Sequence, residues 1–351
     1  MSFAVLPLVA TTATALTAPN APATPMLSFH RLRADAPHAP HAPLFRLGAR
    51  TLSAGDASLP LLHPAGPMAD LWCASTAAPM QQRGRVHYAT DGHWLHGSIA
   101  LDDRRIEGGL QAAAREAYAA LFEVLADSPC PHVLRLWNYL PDINVDDGSG
   151  ERYRQFNVGR QQAFIDAQCS AFAGAPAACA LGSTAGEFRV EFLAGRSAPL
   201  AIENPLQVSA YDYPIDYGPR SPTFSRAAVA DAGEGRLALF ISGTASIVGH
   251  ASVHVGDVRR QTQQTLDHID ALCSEASGRC SAAFAACDLV CTIYVRHAED
   301  LPAVRDQFER HVGRASKAAT EALYVRADVC RAELLVEIEA HGFAPSAGEF
   351  A

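Results

Sequence analysis

FRVEFLA (188–194) and ELLVEIEA (333–340) are two stretches of this chain with one pattern, and that pattern decides the fold. In each stretch apolar residues alternate with charged ones, a period of two that is typical of a β-strand with one buried face. The triplet VEF (190–192) in the first stretch matches VEI (336–338) in the second. The match predicts equivalent closing strands in two related units.

The same succession of elements precedes each closing strand. A strand is followed by a helix with apolar side chains at steps of three and four residues, then by a strand and a second helix. The first half consists of HWLHGSIALDD (93–103), LQAAAREAYAALFEVLAD (110–127), HVLRLWNYL (132–140) and RYRQFNVGRQQAFIDA (152–167). The second half consists of LALFISGTASIV (237–248), GDVRRQTQQTLDHIDALCSEA (256–276), DLVCTIYVR (288–296), LPAVRDQFERHV (301–312) and EALYVRADV (321–329).

The repeated order predicts an α/β fold built from a duplicated unit, with helices that cover one face of a mixed sheet. Chance similarity between two α/β halves is the alternative. The predicted division is a flexible Ala/Pro-rich leader over 1–43, an N-terminal domain over 44–195 and a C-terminal catalytic domain over 196–351.

Composition restricts the possible partners. The formal net charge of -9 argues against a nucleic-acid partner, because no excess of basic residues is available to neutralise phosphates. No apolar run approaches the roughly 20 residues that a membrane span needs. The nine cysteines show no pairing at zinc-ligand spacing, which favours reduced thiols in a cytoplasmic protein.

Two carboxylates are the first candidates for chemistry. On the strand ELLVEIEA, Glu337 and Glu339 project from the face opposite Val336 and Ile338. On an open surface both would be ordinary solvated carboxylates. In a cleft, desolvation would raise the pKa of one of them and make it a proton donor near neutral pH.

The segment YDYPIDYGPRSPTFSR (211–226) is a candidate anion-binding loop. Arginine offers a planar fork that fits a carboxylate, and tyrosine adds a neutral donor, so this composition suits a small organic diacid. A structural loop is an equally good interpretation. The tyrosines and arginines concerned are Tyr211, Tyr213, Tyr217, Arg220 and Arg226.

Two further segments bring polar groups to predicted elements. In RYRQFNVGR (152–160), helical spacing places Tyr153, Asn157 and Arg160 on one side, although a core helix is the plain alternative. In SGTASIVGH (242–250), Gly243 allows a backbone or a ligand to approach closely, which alone is a weak signal.

In combination these segments resemble the chorismatase family. The sequence segments that carry the resemblance occur in the family's order between about Leu134 and Ala340. They are LRLWNYLPDIN (134–144), ERYRQFNVGRQQAF (151–164), NPLQVSAYDYP (204–214), ISGTASIVGHASVHVGDVRRQT (241–262) and the LLVEIEA ending (334–340). The last two segments also resemble sequences of proteins with the Rid/YjgF fold. With the duplication, this implies two Rid/YjgF-like units in one chain.

The resemblance implies an enzyme that removes pyruvate from chorismate without a cofactor or a metal. It implies Glu337 as the general acid that protonates the enol-ether methylene carbon, and Arg160 and Arg220 as ligands of the two carboxylates. The residues implied to line the pocket are Tyr153, Asn157, Tyr211, Tyr217 and Gly243. Chorismate is the expected partner, with no nucleic acid and no membrane, and the chain is expected to be a monomer or a small homo-oligomer.

The resemblance also implies a product. Gly243 together with Cys330, seven residues before Glu337, marks the branch that forms 3-hydroxybenzoate, in which the thiol helps to open an epoxide-like intermediate. A branch that also forms 4-hydroxybenzoate is not separable on these residues. The alternatives are a hydrolytic chorismatase that releases a dihydrodiol, a Rid-like enamine or imine deaminase, and a non-catalytic module that binds chorismate or benzoate.

Overall fold

The N-terminal segment contributes a small antiparallel sheet. A computed structural model of the chain describes residues 24–34, 45–53 and 58–348. The strands of this segment are β1 (Leu27–Arg33), β2 (Phe45–Leu52), β3 (Leu61–His63) and β4 (Met68–Ala74). β4 lies between β1 and β2 in one sheet, whereas β3 is an edge strand of the second large sheet described below.

The first large sheet has six strands in the order β5-β6-β7-β10-β8-β9, and two helices cover one of its faces. Its elements are β5 (Met80–Arg83), β6 (Val86–Thr90), β7 (Trp94–Leu101), α1 (Gly109–Ala126), β8 (His132–Pro141), α2 (Arg152–Asp166), β9 (Ala177–Ser183) and β10 (Phe188–Gly195). The predicted stripe of α1 is buried at Tyr118, Leu121, Phe122 and Leu125, which explains why α1 packs here.

The second large sheet has seven strands in the order β11-β12-β13-β18-β16-β17-β3. Its elements begin with β11 (Leu200–Ile202), β12 (Ala227–Gly233), β13 (Arg236–Ala245), the hairpin β14 (Ile247–Val248) and β15 (Ala251–Ser252), and α3 (Val258–Arg279). They continue with β16 (Val290–Val295), α4 (Leu301–Val312), α5 (Lys317–Thr320), β17 (Leu323–Arg326) and β18 (Val336–Pro345). Short 3-10 turns lie at Asp103–Arg105, Ala210–Asp212, Ile215–Tyr217, Ala286–Asp288 and Ala298–Asp300.

The two sheets repeat one topology, which confirms the predicted α/β class and the duplication. The order β6-β7-β10-β8-β9 in the first matches β12-β13-β18-β16-β17 in the second. Each has one parallel pair, β8 with β9 and β16 with β17, among antiparallel neighbours. Glu191 on β10 and Glu337 on β18 stand at equivalent positions, opposite Trp137 and Tyr294 on the adjoining strands. We propose the boundary between the units at 195 and 196.

The faces of the two sheets that carry no helices meet in a shared core, together with the N-terminal sheet. Aromatic rings from all three sheets touch there: the ring centroid of Trp72 lies 6.1 Å from that of Trp137 and 5.9 Å from that of Phe240. Because both large sheets contribute to this layer, polar residues on their inner faces are buried between the units. No helix among the described residues is long and apolar enough to cross a membrane.

The prediction that residues 1–43 form a flexible leader is wrong for 27–33, which form strand β1. The guanidinium of Arg31 explains the order of this strand. It forms an ion pair of 2.7 Å with Asp70 and donates to the backbone carbonyls of Cys291 and Glu321, both in the second unit. Residues 1–23 and 35–43 of the predicted leader lie outside the described residues.

Replacing Arg31 with methionine tests whether β1 is an integral part of the fold. The change leaves two carbonyls and part of the buried carboxylate of Asp70 without a donor, so we expect a loss of about 3–5 kcal/mol in the free energy of unfolding. Arg33→Met on the same strand is the control, because Arg33 is exposed and donates a hydrogen bond to the carbonyl of Ala65 within the same N-terminal segment. Equal denaturant midpoints for the two variants would contradict the assignment.

Candidate active site

A cleft between the two units is the candidate active site. Its outer part has a volume of about 1040 Å³ and its inner part about 280 Å³. The first unit contributes α2 and β9, and the second contributes β13, β18 and the loop between β17 and β18. The residues common to both parts are Tyr153, Phe224, Gly243, Cys330 and Glu337. A concave cleft with apolar walls and a few convergent polar groups is typical of a small-molecule site.

Glu337 is a buried carboxyl with an unsatisfied oxygen. The predicted alternation of β18 is confirmed: Val336 and Ile338 face the helix-covered core, while Glu337 points into the layer between the units, with 3% of its surface exposed. Its Oε1 atom has no hydrogen-bond partner among the described residues. Burial raises the pKa of Glu337 to about 8, and the nearby charge of Glu339 acts in the same direction. Glu337 is therefore a neutral acid at neutral pH.

Glu339, on the same face of β18, is in the opposite state. Burial alone would raise its pKa, but Arg135 and Arg50 outweigh burial and hold the pKa of Glu339 below its usual value. Its Oε2 lies 2.6 Å from Nη2 of Arg135, and its Oε1 accepts a hydrogen bond of 2.8 Å from the hydroxyl of Tyr294. Two carboxyls two residues apart thus have separated pKa values, as in acid–base sites.

Cys330 lies beside Glu337 on a loop that Arg296 fixes. The Arg296 guanidinium donates to the carbonyls of Val329, Arg331 and Leu334 at 2.8–3.0 Å, so it holds the backbone on both sides of Cys330. Burial, and secondly the proximity of Glu337, raises the pKa of the Cys330 thiol to about 12. The group at this position is consequently a thiol and not a thiolate at neutral pH.

Arg160 is a buried cation in the inner cavity, with 1% of its surface exposed. Its guanidinium lies 4.7 Å above the ring of Phe156, and Nη2 donates to Oδ1 of Asn157 at 3.2 Å. Among the described residues no carboxylate forms an ion pair with Arg160, and its Nε has no hydrogen-bond partner. A buried charge without a counterion is costly. Arg160 therefore marks a site for an anionic ligand.

The other residues expected from α2 divide into two roles. Tyr153 lines both parts of the cleft, where burial raises the pKa of its hydroxyl and keeps it a neutral donor. Asn157 is buried behind the lining and accepts the bond from Arg160, so it orients the guanidinium and does not face the cavity. The predicted common side of this helix is thus confirmed, with two of its three polar residues at the cavity.

In the 211–226 loop, the structure separates the expected residues. Tyr217 lines the outer cleft, and its hydroxyl lies 3.1 Å from Nδ1 of His250. Tyr211 is outside the lining and is tied to the loop, because its carbonyl accepts a bond of 2.7 Å from the hydroxyl of Ser221.

Arg220 is exposed and does not line the cleft, contrary to expectation. Arg226, at the end of the same loop, is the arginine that reaches it. Arg226 is buried because its guanidinium packs against the rings of Tyr213 and Phe224 at 5.5 and 5.2 Å, and it donates to the hydroxyl of Tyr213 at 2.8 Å. A sequence with two arginines in one Pro/Gly loop does not reveal which of them packs inward.

Gly243 lies against the acid. A Cβ atom at this position would overlap Oε1 of Glu337, and it would be 2.7 Å from Cδ of that carboxyl and 3.0 Å from Cβ of Cys179. Any larger residue would force the Glu337 carboxyl to move, so the glycine determines where the acid sits.

Several lining residues were missed by the sequence interpretation, among them Arg331, Cys179 and Ala178. Arg331 stands at the rim, with its guanidinium 4.0 Å from the centre of the Tyr217 ring. Cys179 and Ala178 form part of the inner wall, on a strand that was not predicted. Of these three residues, only Arg331 could have been suggested by the sequence, because it directly follows the candidate Cys330.

Comparisons with known proteins bear on the family and the fold of this chain. The family model described as "Chorismatase FkbO/Hyg5-like, N-terminal" matches residues 70–194. A "3-hydroxybenzoate synthase" of Streptomyces hygroscopicus is 37% identical over 288 residues, which are 78% of this chain and 81% of that protein. A "Chorismatase" of Streptomyces rapamycinicus is 37% identical over 281 residues, covering 77% and 81%. A crystal structure of a chorismatase superposes with a TM-score of 0.79 at 28% identity, covering 91% of this chain and 99% of that one.

The raised pKa of Glu337 predicts how stability depends on pH. With a pKa of about 8 in the folded state and an ordinary value when unfolded, the parent loses stability as the pH rises from about 4.5 to about 8. Glu337→Gln lacks this loss. We expect the difference in unfolding free energy, variant minus parent, to increase by on the order of 4 kcal/mol between about pH 5 and pH 8.

Denaturant unfolding of both proteins across this range provides the measurement. Glu191→Gln, at the equivalent position of the first unit, is the matched control. A difference between Glu337→Gln and the parent that stays constant with pH would show that Glu337 ionises normally.

Proposed function

The chain belongs to the chorismatase family, and we propose that it converts chorismate to 3-hydroxybenzoate and pyruvate. The observation that carries this proposal is the neutral carboxyl of Glu337 in one cavity with Arg160, a buried cation without a carboxylate partner. A dianionic enol ether needs both features: a cation to bind a carboxylate, and an acid strong enough to protonate carbon yet still protonated at neutral pH.

We place the substrate with one carboxylate on Arg160 in the inner cavity. The second carboxylate then reaches the outer cleft. Arg226 and Arg331 line this cleft and have no carboxylate partner among the described residues, whereas Arg154 is paired there with Glu151. This assignment replaces Arg220, which is exposed. Tyr153 and Tyr217 place hydroxyl groups along the cleft, suited to bonding the ring hydroxyl or carboxylate oxygens.

The reaction begins with proton transfer from Glu337 to the methylene carbon of the enol ether. The ether becomes an oxocarbenium ion, and Glu337 becomes a carboxylate whose charge stabilises that cation. The neighbouring ring hydroxyl then attacks the ring carbon that carries the ether. The carbon–oxygen bond breaks toward the ether oxygen, which becomes the ketone of pyruvate, and the hydroxyl proton returns to Glu337.

The remaining step opens the resulting epoxide. Cys330, a thiol of high pKa, donates a proton to the epoxide oxygen, which stays on the carbon that carried the ether. The thiolate then takes the hydrogen from that carbon as the ring becomes aromatic. The atoms of chorismate are divided between 3-hydroxybenzoate and pyruvate, so no water is consumed.

We also propose that the protein acts in the cytoplasm, as a monomer or a small homo-oligomer. Nine free cysteines suit a reducing compartment. Both units that form the cleft belong to one chain, so a second copy is not needed to complete the site.

Glu337→Gln tests the acid. The amide keeps the shape of the side chain but cannot donate a proton, so we expect pyruvate release to fall by at least about 10²–10⁴-fold while chorismate still binds. Pyruvate is followed with lactate dehydrogenase and binding by calorimetry, with Glu191→Gln as the control. A parent protein that binds chorismate without releasing pyruvate would instead indicate a binding module, and release by the variant at the parent rate would exclude Glu337.

Cys330→Ala combined with Gly243→Ala tests the product assignment. The first change removes the proton donor for epoxide opening, and the second displaces the Glu337 carboxyl. We expect the residual product to shift toward the dihydrodiol formed with water, as measured by chromatography against authentic 3- and 4-hydroxybenzoate. An unchanged yield of 3-hydroxybenzoate would rule out the role of these two positions.

A further inference from the structure

In the first unit, the strand position equivalent to the proposed acid Glu337 is occupied by Glu191, whose surroundings differ in charge. Glu191, equivalent to Glu337, has an arginine partner, with Nη1 of Arg189 at 3.6 Å from its Oε1. The arginines Arg31, Arg50 and Arg135, which line the adjoining internal cavity, all have carboxylate partners there. The charges in this region are compensated within the protein, so it does not call for an anionic ligand.

These compensated charges form a buried chain of alternating sign. Arg31 pairs with Asp70 at 2.7 Å, Asp70 with Arg50 at 3.1 Å, and Arg50 with Glu339 at 3.7 Å. Arg135 closes the chain at 2.6 Å from Glu339. Arg50 also donates to the hydroxyls of Tyr139 and Tyr294 at 2.7 and 3.2 Å. This series of ion pairs starts at Arg31 in the N-terminal sheet. It includes Glu339, which is two residues from the proposed acid Glu337.

Glu339 is the anionic member of this chain that faces Glu337. Burial alone would raise the pKa of Asp70 as well, yet Arg31 and Arg50 lower it to about 2, so both carboxylates, Asp70 and Glu339, are ionised at neutral pH. The other groups around Glu337 come from each neighbouring element. They are Arg135 from β8, Arg296 after β16, Tyr153 and Arg160 from α2, Cys179 from β9 and Cys330 from the loop before β18.

We propose that Glu339 is a positioning residue of the reaction: its fixed negative charge keeps the Glu337 carboxyl protonated, and Arg50 and Arg135 keep Glu339 itself ionised. The inference rests on the proposed function. Because Arg50 belongs to β2, it also gives the N-terminal sheet an influence on the acid strength of Glu337. Like charges on one strand face disfavour a second ionisation. Without Glu339, burial alone would oppose the charges of Arg135 and Arg296, so the pKa of Glu337 would fall and less of the acid would be protonated near neutral pH.

Glu339→Gln is the direct test. We expect the alkaline limb of the pH profile of kcat/KM for pyruvate release to move to lower pH by about one unit or more. At pH values below the new limb, the rate returns toward that of the parent, which a merely damaged site would not do. Glu339→Asp retains the charge and should restore the limb. Glu191→Gln, outside the proposed machinery, should leave it in place.

A variant with both Arg135→Gln and Glu339→Gln covers the case in which the single change does not fold. Two amides can bond to each other and leave no buried charge. Because Glu339 affects Glu337 more than Arg135 does, the limb should still move to lower pH, but by less. An unchanged limb in a folded single or double variant overturns the proposal.

A readout independent of turnover separates this inference from the proposed function. The ¹³C carboxyl resonance of Glu337, assigned by its loss in Glu337→Gln, is titrated in the parent and in the Glu339 variants. A parent that does not cleave chorismate refutes the function, while the titration still tests Glu339. A Glu337 midpoint that is the same in the parent and in Glu339→Gln refutes the role of Glu339 whatever the activity.

Discussion

The structure depends on one constraint: a carboxyl group is held away from water, without a hydrogen-bond partner on one oxygen, beside a second carboxyl that is ionised. Glu337 and Glu339 share a strand face, yet arginines surround only Glu339 closely. This arrangement needs a buried layer between two sheets, and the duplicated unit supplies it. Each sheet covers its outer face with its own helices and leaves the inner face for the other.

The distribution of charge separates supporting regions from the reactive one. Buried ion pairs contribute little net stability, because desolvation offsets their attraction, but breaking one is costly. The chain from Arg31 to Arg135 is therefore better understood as a device that fixes charge than as a source of stability. Arg160 differs from its members in having no acidic partner among the described residues. The site is consequently complete only when an anion is bound, which is what a substrate with two carboxylates provides.

Strongly periodic elements could be predicted from the sequence. The helix predicted over 301–312 forms over those residues, and the alternation around Glu337 correctly gave its face. Elements without such a pattern were missed. Strand β1 pairs with β4 along its whole length and its burial does not alternate, and β9 is buried at every position, so neither shows amphipathic alternation. The choice between Arg220 and Arg226 depended on which guanidinium packs against aromatic rings, which is a tertiary property. The effect of Gly243 on the acid likewise appears only when the two strands are side by side.

The protonation state of Glu337 at neutral pH is the central claim, and infrared spectroscopy observes it directly. A protonated, buried carboxyl gives a C=O stretching band well separated from carboxylate bands. The difference spectrum between the parent and Glu337→Gln at pH 7 should contain this band, and the band should vanish as the pH rises through about 8. A difference spectrum at pH 7 that contains only carboxylate bands would contradict the account.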